Sequence, residues 1–272
     1  MSLIIYVSGA KNGRGLGNCL FHIASAVYYR ETFGGTILLA ENNDVRFGHP
    51  RFSLRMKKNG KDIPYTDTIL SKFGFYKKLE DHRIMHNDYT NVKCVPDKNI
   101  LISGYSQNLN LFKEYLHKLP EYLNLQDKTI ISYIQAKYKN LDKGICIGLR
   151  VGEDFAHMKT ITRESYINAL KKLRQMGINI DNLFIISDVA DAWLHTFDLQ
   201  DIYPATFINE SDVVQLYAGL MCRHYILSES TFHLWIAYLG TIDNDDKKVI
   251  YFVNTDITRR PLALDNWIRC SP

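Results

Sequence analysis

Cys146-Ile147-Gly148-Leu149-Arg150-Val151-Gly152-Glu153-Asp154 is the stretch whose reading decides the fold. The apolar run from Ile145 to Leu149 ends abruptly in an arginine, a glycine and two acids. A buried parallel strand has this form when its C-terminal end opens onto a ligand crevice. Arg150 then stands at the strand tip, where a guanidinium can grip a phosphate through two parallel hydrogen bonds. Strand-end arginines also serve as plain salt-bridge partners, so the phosphate reading depends on what surrounds this one.

C-terminal to this stretch the alternation is regular. A helix is expected from Arg163 to Met176, and a strand from Leu183 to Ile186 ending in Ser187-Asp188. Another helix runs from Asp212 to Cys222, a strand from Tyr225 to Leu227, a helix from Thr231 to Leu239 and a strand from Val249 to Phe252. Strands alternating with helices of this length predict a parallel, doubly wound sheet.

N-terminal to it the pattern opens the same way. Leu3 to Val7 reads as a strand, and Gly9 to Asn18 as a glycine-rich loop. From Leu20 to Tyr29 the apolar positions recur at helical spacing. Thr36 to Leu39 is a second strand. Residues 44–89 are polar and irregular, with one helix expected near Thr66 to Phe73. Asn99 to Ser103 returns as a strand and ends in Gly104-Tyr105-Ser106-Gln107. Helices follow near Leu109–Leu116 and Lys128–Tyr138. Leu141-Asp142-Lys143 reads as a hinge, giving an N-terminal lobe of residues 1–141 and a C-terminal lobe of residues 142–272.

Bulk properties exclude several classes. A net charge of +4 on 272 residues is too small to argue for nucleic acid. Residues 1–140 hold 20 Lys+Arg against 12 Asp+Glu, or +8, and the remainder is −4. That asymmetry fits lobes with different partners, and equally a solvated basic face. Five cysteines without a Cys-x-x-Cys predict free thiols in a reducing compartment, not a disulfide framework or zinc site. No apolar run reaches the ~20 residues of a membrane span, and Met1 to Val7 lacks the features of a signal peptide. A cytoplasmic location is expected.

Three constellations carry chemistry. Gly13, Gly15 and Gly17 let backbone approach a ligand ahead of a helix N-terminus. Their spacing is neither a dinucleotide fingerprint nor a Walker loop, and a tight strand–helix turn would use the same residues. Ser228-Glu-Ser-Thr-Phe-His-Leu-Trp235 lies between a strand and a helix. With Ser230 as N-cap, Ser230, Thr231 and the first helical N–H groups could point at one anion, or the helix is simply capped. Ser187-Asp188 with Trp193 beyond offers a carboxylate to a base or sugar hydroxyl, or a local turn. Asp243-Asn244-Asp245 reads as a solvated loop rather than a metal site. His82 and His86 have ligand-like spacing in a region without helical periodicity.

Together these blocks resemble the α-1,2-fucosyltransferases, glycosyltransferase family 11. Gly15-Leu-Gly-Asn-Cys-Leu-Phe-His-Ile-Ala24 is similar to their Gly-Leu-Gly-Asn-Gln opening. Gly104-Tyr105-Ser-Gln107 with Phe112 resembles their Gly-Tyr-x-Gln…Phe segment. Gly148-Leu-Arg150-Val-Gly-Glu-Asp154 resembles their His-x-Arg-Arg-Gly-Asp motif, and Ser165-Tyr166 with Ala169 the helix after it. Phe184-Ile-Ile-Ser-Asp188 with Trp193 is similar to a Phe-Ser-Asp-Asp…Trp segment. Leu216 to Leu239 resembles the last block, matching at Cys222, His224, Ser230, Thr231, Phe232, Trp235 and Ala237. This chain departs from the motifs at Cys19, Gly148, Val151, Val189 and Glu229.

The resemblance implies a GT-B fold: α/β, with two Rossmann-like lobes whose parallel sheets face a cleft. It implies inverting, metal-independent transfer of fucose from GDP-fucose to a galactoside hydroxyl, with no cofactor. The partners implied are a nucleotide-sugar donor and a glycan acceptor. On this account Arg150 neutralises the β-phosphate and Ser230 and Thr231 hydrogen-bond it, with Phe232 alongside. Ser187 and Asp188 reach the nucleoside, and Gly15, Gly17 and Asn18 approach the donor from the other lobe. His22, Tyr105, Gln107 and His157 are assigned to the acceptor. Glu153, Asp154, His157 and His22 are candidate bases that the sequence does not rank. The departures keep open a relative that binds a nucleotide or glycan without turnover, or one that uses another nucleotide sugar. A Rossmann-type dehydrogenase is disfavoured by the glycine spacing.

Overall fold

The computed structural model describes residues 3–7, 15–40, 65, 68–76, 81–86, 98–104, 106–150, 161–187, 203–228, 230–242, 244–252 and 262–271. The chain divides into two compact units, Met1–Asp127 and Lys128–Pro272. Each carries its own parallel sheet.

The N-terminal sheet contains β1 (Ile4–Val7), β2 (Thr36–Ala40), β3 (Gly74–Tyr76), β4 (His82–His86) and β5 (Asn99–Ser103). Its order is β3-β2-β1-β5-β4, and every pairing is parallel. The chain therefore builds outward from β1 on one side and returns on the other. The order reverses between β1 and β5, whose register pairs Ile5 with Ile100 and Val7 with Ile102. Helix α1 (Leu16–Phe33) joins β1 to β2 and is buried continuously from Cys19 to Tyr29. It is apolar nearly all round because it packs between the strands and the helical turns of residues 109–118.

Three expectations fail here. Helix α1 begins at Leu16, so Gly17 and Asn18 lie in its first turn and not in a loop; the Asn18 and Cys19 amides both donate to Gly15 O. Residues 68–72 form turns rather than a helix, because the Thr68 and Leu70 amides fold back onto Tyr65 O and lead into β3. The helix expected over Leu109–Leu116 is instead α2 (Leu109–Phe112), a 3₁₀ segment (Lys113–Lys118) and α3 (Leu119–Tyr122).

The C-terminal sheet contains β6 (Ile145–Leu149), β7 (Leu183–Ser187), β8 (Ala205–Phe207), β9 (His224–Leu227), β10 (Val249–Phe252) and β11 (Ile268–Cys270). Its order is β8-β7-β6-β9-β10-β11. Counted from β6 this is 3-2-1-4-5-6, the order of a doubly wound nucleotide-binding sheet, and it reverses between β6 and β9. Strands β6, β7, β9 and β10 are buried at every position. Ile145, Ile147, Leu149, Ile185, Ile226 and Phe252 form the core with Leu170 and Leu173 of α5 (Arg163–Gln175). That helix starts with a capping box, Thr162 and Ser165 exchanging side-chain and backbone bonds.

Helix α4 (Lys128–Lys137) packs on α6 (Asp212–Met221). Glu210, just before α6, accepts from the Tyr133 and Tyr138 hydroxyls at 2.9 Å each and pairs with Lys137. The division between units therefore falls between Asp127 and Lys128, N-terminal to the expected 141/142 boundary. Leu141–Lys143 is a short 3₁₀ turn inside the C-terminal unit. Cys146, Cys222 and Cys270 are free thiols. No helix among the described residues is long and apolar enough to cross a membrane.

Candidate functional site

The two reversal points carry most of the described residues that the sequence singles out. In an open parallel sheet, ligands bind outside the carboxyl ends of the strands at such a point.

In the C-terminal unit, β6 and β9 lie side by side with Gly148 opposite Leu227. Arg150 follows β6, and Ser228 and Ser230 follow β9, all at the same sheet end. The Ser228 amide donates to Gly148 O at 3.2 Å, which ties the two exits together. On the other flank Leu149 pairs with Ser187, the last residue of β7. Ser230 is the N-cap of α7 (Thr231–Thr241), and its hydroxyl makes no capping bond to that helix. The first turn of an 11-residue helix thus opens on this edge with N–H groups that have no intrahelical partner. Ser230 is buried; Thr231, Phe232 and Arg150 are half-buried. A guanidinium, two hydroxyl residues and a helix N-terminus thus lie at one sheet edge, and these are groups of the type that can bind an anion.

One residue here was not expected from the sequence. His233 is fully buried, and its Nδ1 lies 2.8 Å from Ser228 Oγ. Burial, and secondarily the charge of Arg150, lowers its pKa to about 3, so the imidazole is neutral. A Cβ on Gly148 would come within 2.5 Å of the ring, so His233 occupies the side-chain space that position 148 leaves empty. The signal was present in the sequence: a glycine inside a buried strand marks the close approach of another group. Gly148 O also accepts from the Tyr166 hydroxyl of α5 at 3.0 Å.

In the N-terminal unit the reversal between β1 and β5 gathers Asn18, His22, Gly104 and Gln107. His22 Nε2 donates to Gly104 O at 2.7 Å, since a carbonyl can only accept. That nitrogen is therefore not placed to take a proton from an acceptor. Gln107 Nε2 donates to Asn18 Oδ1 at 3.0 Å, which orients the Asn18 amide. The chain leaving β5 is contorted: Gly104 has φ 77° and Ser106, a residue with a side chain, has φ 52°. A left-handed serine costs about 1–3 kcal/mol, and such positions cluster at ligand sites. A Cβ at Gly15 would meet no described atom within 4 Å.

Glu153, Asp154 and His157, together with Tyr105, Asp188 and Glu229, lie outside the described residues. So does Asp243 of the Asp-x-Asp pair, whereas Asp245 is exposed. His82 and His86 begin and end β4, and Asp81 beside them pairs with Lys98 at 2.9 Å. Among the described residues no group of three or more His, Cys, Asp or Glu is placed to hold a metal ion.

No protein-family model matches the chain, and no curated protein matches it in sequence. Solved structures do match. A NodZ α-1,6-fucosyltransferase co-crystallised with GDP superposes at a TM-score of 0.56 and 12% identity, over 93% of this chain and 96% of that one. The same enzyme soaked with GDP-fucose gives 0.54 and 14%, over 96% and 97%. Fucosyltransferase NodZ from Bradyrhizobium gives 0.53 and 12%, over 87% and 92%. At such identities the likeness is one of fold, and the fold is the GT-B α/β architecture with two parallel sheets.

Proposed function

We propose that this chain is an inverting glycosyltransferase that moves fucose from GDP-fucose to a hydroxyl of a galactoside-type glycan without a metal ion. One observation carries the reading: Arg150 and the first turn of α7 follow neighbouring strands, β6 and β9, at the sheet end where the C-terminal sheet reverses its strand order. As the sugar–phosphate bond breaks, negative charge builds on the leaving diphosphate. A fixed cation and preorganised N–H and O–H donors stabilise that charge directly. Arg150 neutralises the β-phosphate, Ser230 and Thr231 hydrogen-bond it, and Phe232 borders it. Ser187 and Asp188 serve the nucleoside.

The acceptor oxygen attacks the anomeric carbon as the bond to GDP breaks, and its proton passes to a base. Glu153 and Asp154, following Arg150 in sequence, are the candidates for that base, with His157. Of the N-terminal unit's residues, Gly15, Gly17 and Asn18 are assigned to the donor, and His22, Tyr105 and Gln107 to the acceptor. The motif resemblance supports an α-1,2 linkage. Gly148, Val151, Val189 and Glu229 support a second reading, a module that binds a nucleotide or glycan without turnover.

Incubation with GDP-fucose and a galactoside in excess chelator tests the proposal. Fucosylated product and released GDP are expected. Activity that disappears in chelator and returns with Mn²⁺ or Mg²⁺ would contradict the metal-free step. GDP-fucose that binds and is never cleaved would favour the module.

A further inference from the structure

Buried His233 of α7 lies against Gly148 of β6 and is bonded to Ser228 after β9, and neither the motif resemblance nor the proposed reaction uses it. We propose that His233 is a positioning residue. Its imidazole, seated over Gly148 and bonded to Ser228, locks the tip of β6, the exit of β9 and the first turn of α7 into one geometry. Arg150 and the Ser230–Thr231 turn then address the same diphosphate.

Three contacts close this arrangement. The ring of His233 fills the space beside Gly148 so tightly that even one added carbon would lie 2.5 Å from Cγ and from Nδ1. Its Nδ1 is bonded to Ser228 Oγ, and the Ser228 amide is bonded to Gly148 O. Gly148, Ser228 and His233 thus hold one another in a closed triangle, two residues from Arg150 and two from Ser230. The Tyr166 hydroxyl secures the Gly148 carbonyl from the α5 side. Phenylalanine would fill the same volume but would leave the buried Ser228 hydroxyl without this partner. A protonated imidazole would repel Arg150, so a neutral ring suits the role, and burial keeps it neutral.

The inference rests on the proposal that this edge binds a nucleoside diphosphate, and the test separates the two. Calorimetry of the full chain with GDP and with GMP isolates the terminal phosphate, because the nucleoside is common to both. For His233→Phe and Gly148→Ala the GDP-over-GMP preference is expected to fall about tenfold, roughly the contribution of one well-placed charged hydrogen bond. His233→Asn places an amide where Nδ1 stood and should stay within about threefold of wild type. A GDP-over-GMP preference unchanged in both His233→Phe and Gly148→Ala, even with a lower melting temperature, would make His233 an ordinary core residue and overturn the inference alone. If His233→Phe does not fold, the pair Gly148→Ala and His233→Asn decides by the same ratio. A wild type that binds no nucleoside diphosphate would overturn the functional reading and this inference together.

Discussion

Arg150 carries the charge on which the proposed chemistry depends, so its removal is the sharpest single-residue perturbation. Arg150→Ala should lower fucosyl transfer by about two to four orders of magnitude, the range for losing one electrostatic stabiliser of a developing anion. The loss should appear in kcat more than in KM, because the charge it answers grows in the transition state. A variant within about threefold of wild type in steady-state assays would remove Arg150 from the mechanism. The sequence made Arg150 visible because an apolar strand ending in a charge is a local pattern. It concealed His233, because a histidine in an apolar helix has no local signature of its role. Only the glycine at 148, a residue that weakens a strand unless something needs its space, pointed across the fold.

At the scale of elements, legibility followed burial. Strands β6, β7, β9 and β10 are buried throughout, so their sequences are dominated by apolar and aromatic residues and are legible as strands. Gly74–Tyr76 and His82–His86 form the two edges of the N-terminal sheet. Phe75 and Ile84 stand exposed there, and the mixed composition of such edges carries neither alternation nor an apolar run. The start of α1 was misplaced because glycine and asparagine disfavour helix interiors, although a first turn accepts them.

Helix α6 offers an independent prediction. Ser211 caps it by accepting from the Val214 amide, and Asp212 in its first turn accepts from the Val213 amide. Burial nevertheless outweighs those bonds and lifts the Asp212 pKa from 3.8 to about 7. The unfolded chain therefore ionises first, and stability is lost as pH rises from about 4 through 7. Asp212→Asn keeps the acceptor and removes the titration. Its melting temperature should match wild type at pH 4 and exceed it at pH 8. The gain is bounded at about 4 kcal/mol, and is smaller to the extent that water reaches the carboxyl. Equal melting temperatures at pH 8 would show that Asp212 ionises freely. His233 and His224 act in the opposite direction, with pKa values lowered by burial to about 3 and about 4. They cost stability as pH falls below about 6.5.

Across the whole molecule, the sequence conveyed two parallel α/β units, and the structure relocated their boundary. Lys128, Lys137 and Lys139 belong to the C-terminal unit, because α4 packs on α6. Moving those three lysines leaves 17 basic against 12 acidic residues in the first unit, +5, and 16 against 17 in the second, −1. The charge contrast read at residue 140 is therefore halved, and with it the case for lobes with different partners. What remains distinctive is that each sheet reverses its strand order beside polar residues. Arg150 with the α7 N-terminus stands at one reversal, and Asn18, His22 and Gln107 stand at the other.

The central claim is that the first of these reversals receives a guanosine diphosphate sugar. Thermal stabilisation of the full chain by GDP, UDP, ADP, CMP and NAD⁺, each at the same concentration, tests it most directly. The account predicts the largest rise with GDP, abolished in Arg150→Ala and followed by slow hydrolysis when GDP-fucose replaces GDP. A larger rise with UDP, ADP, CMP or NAD⁺, or no rise with any of them, would contradict it.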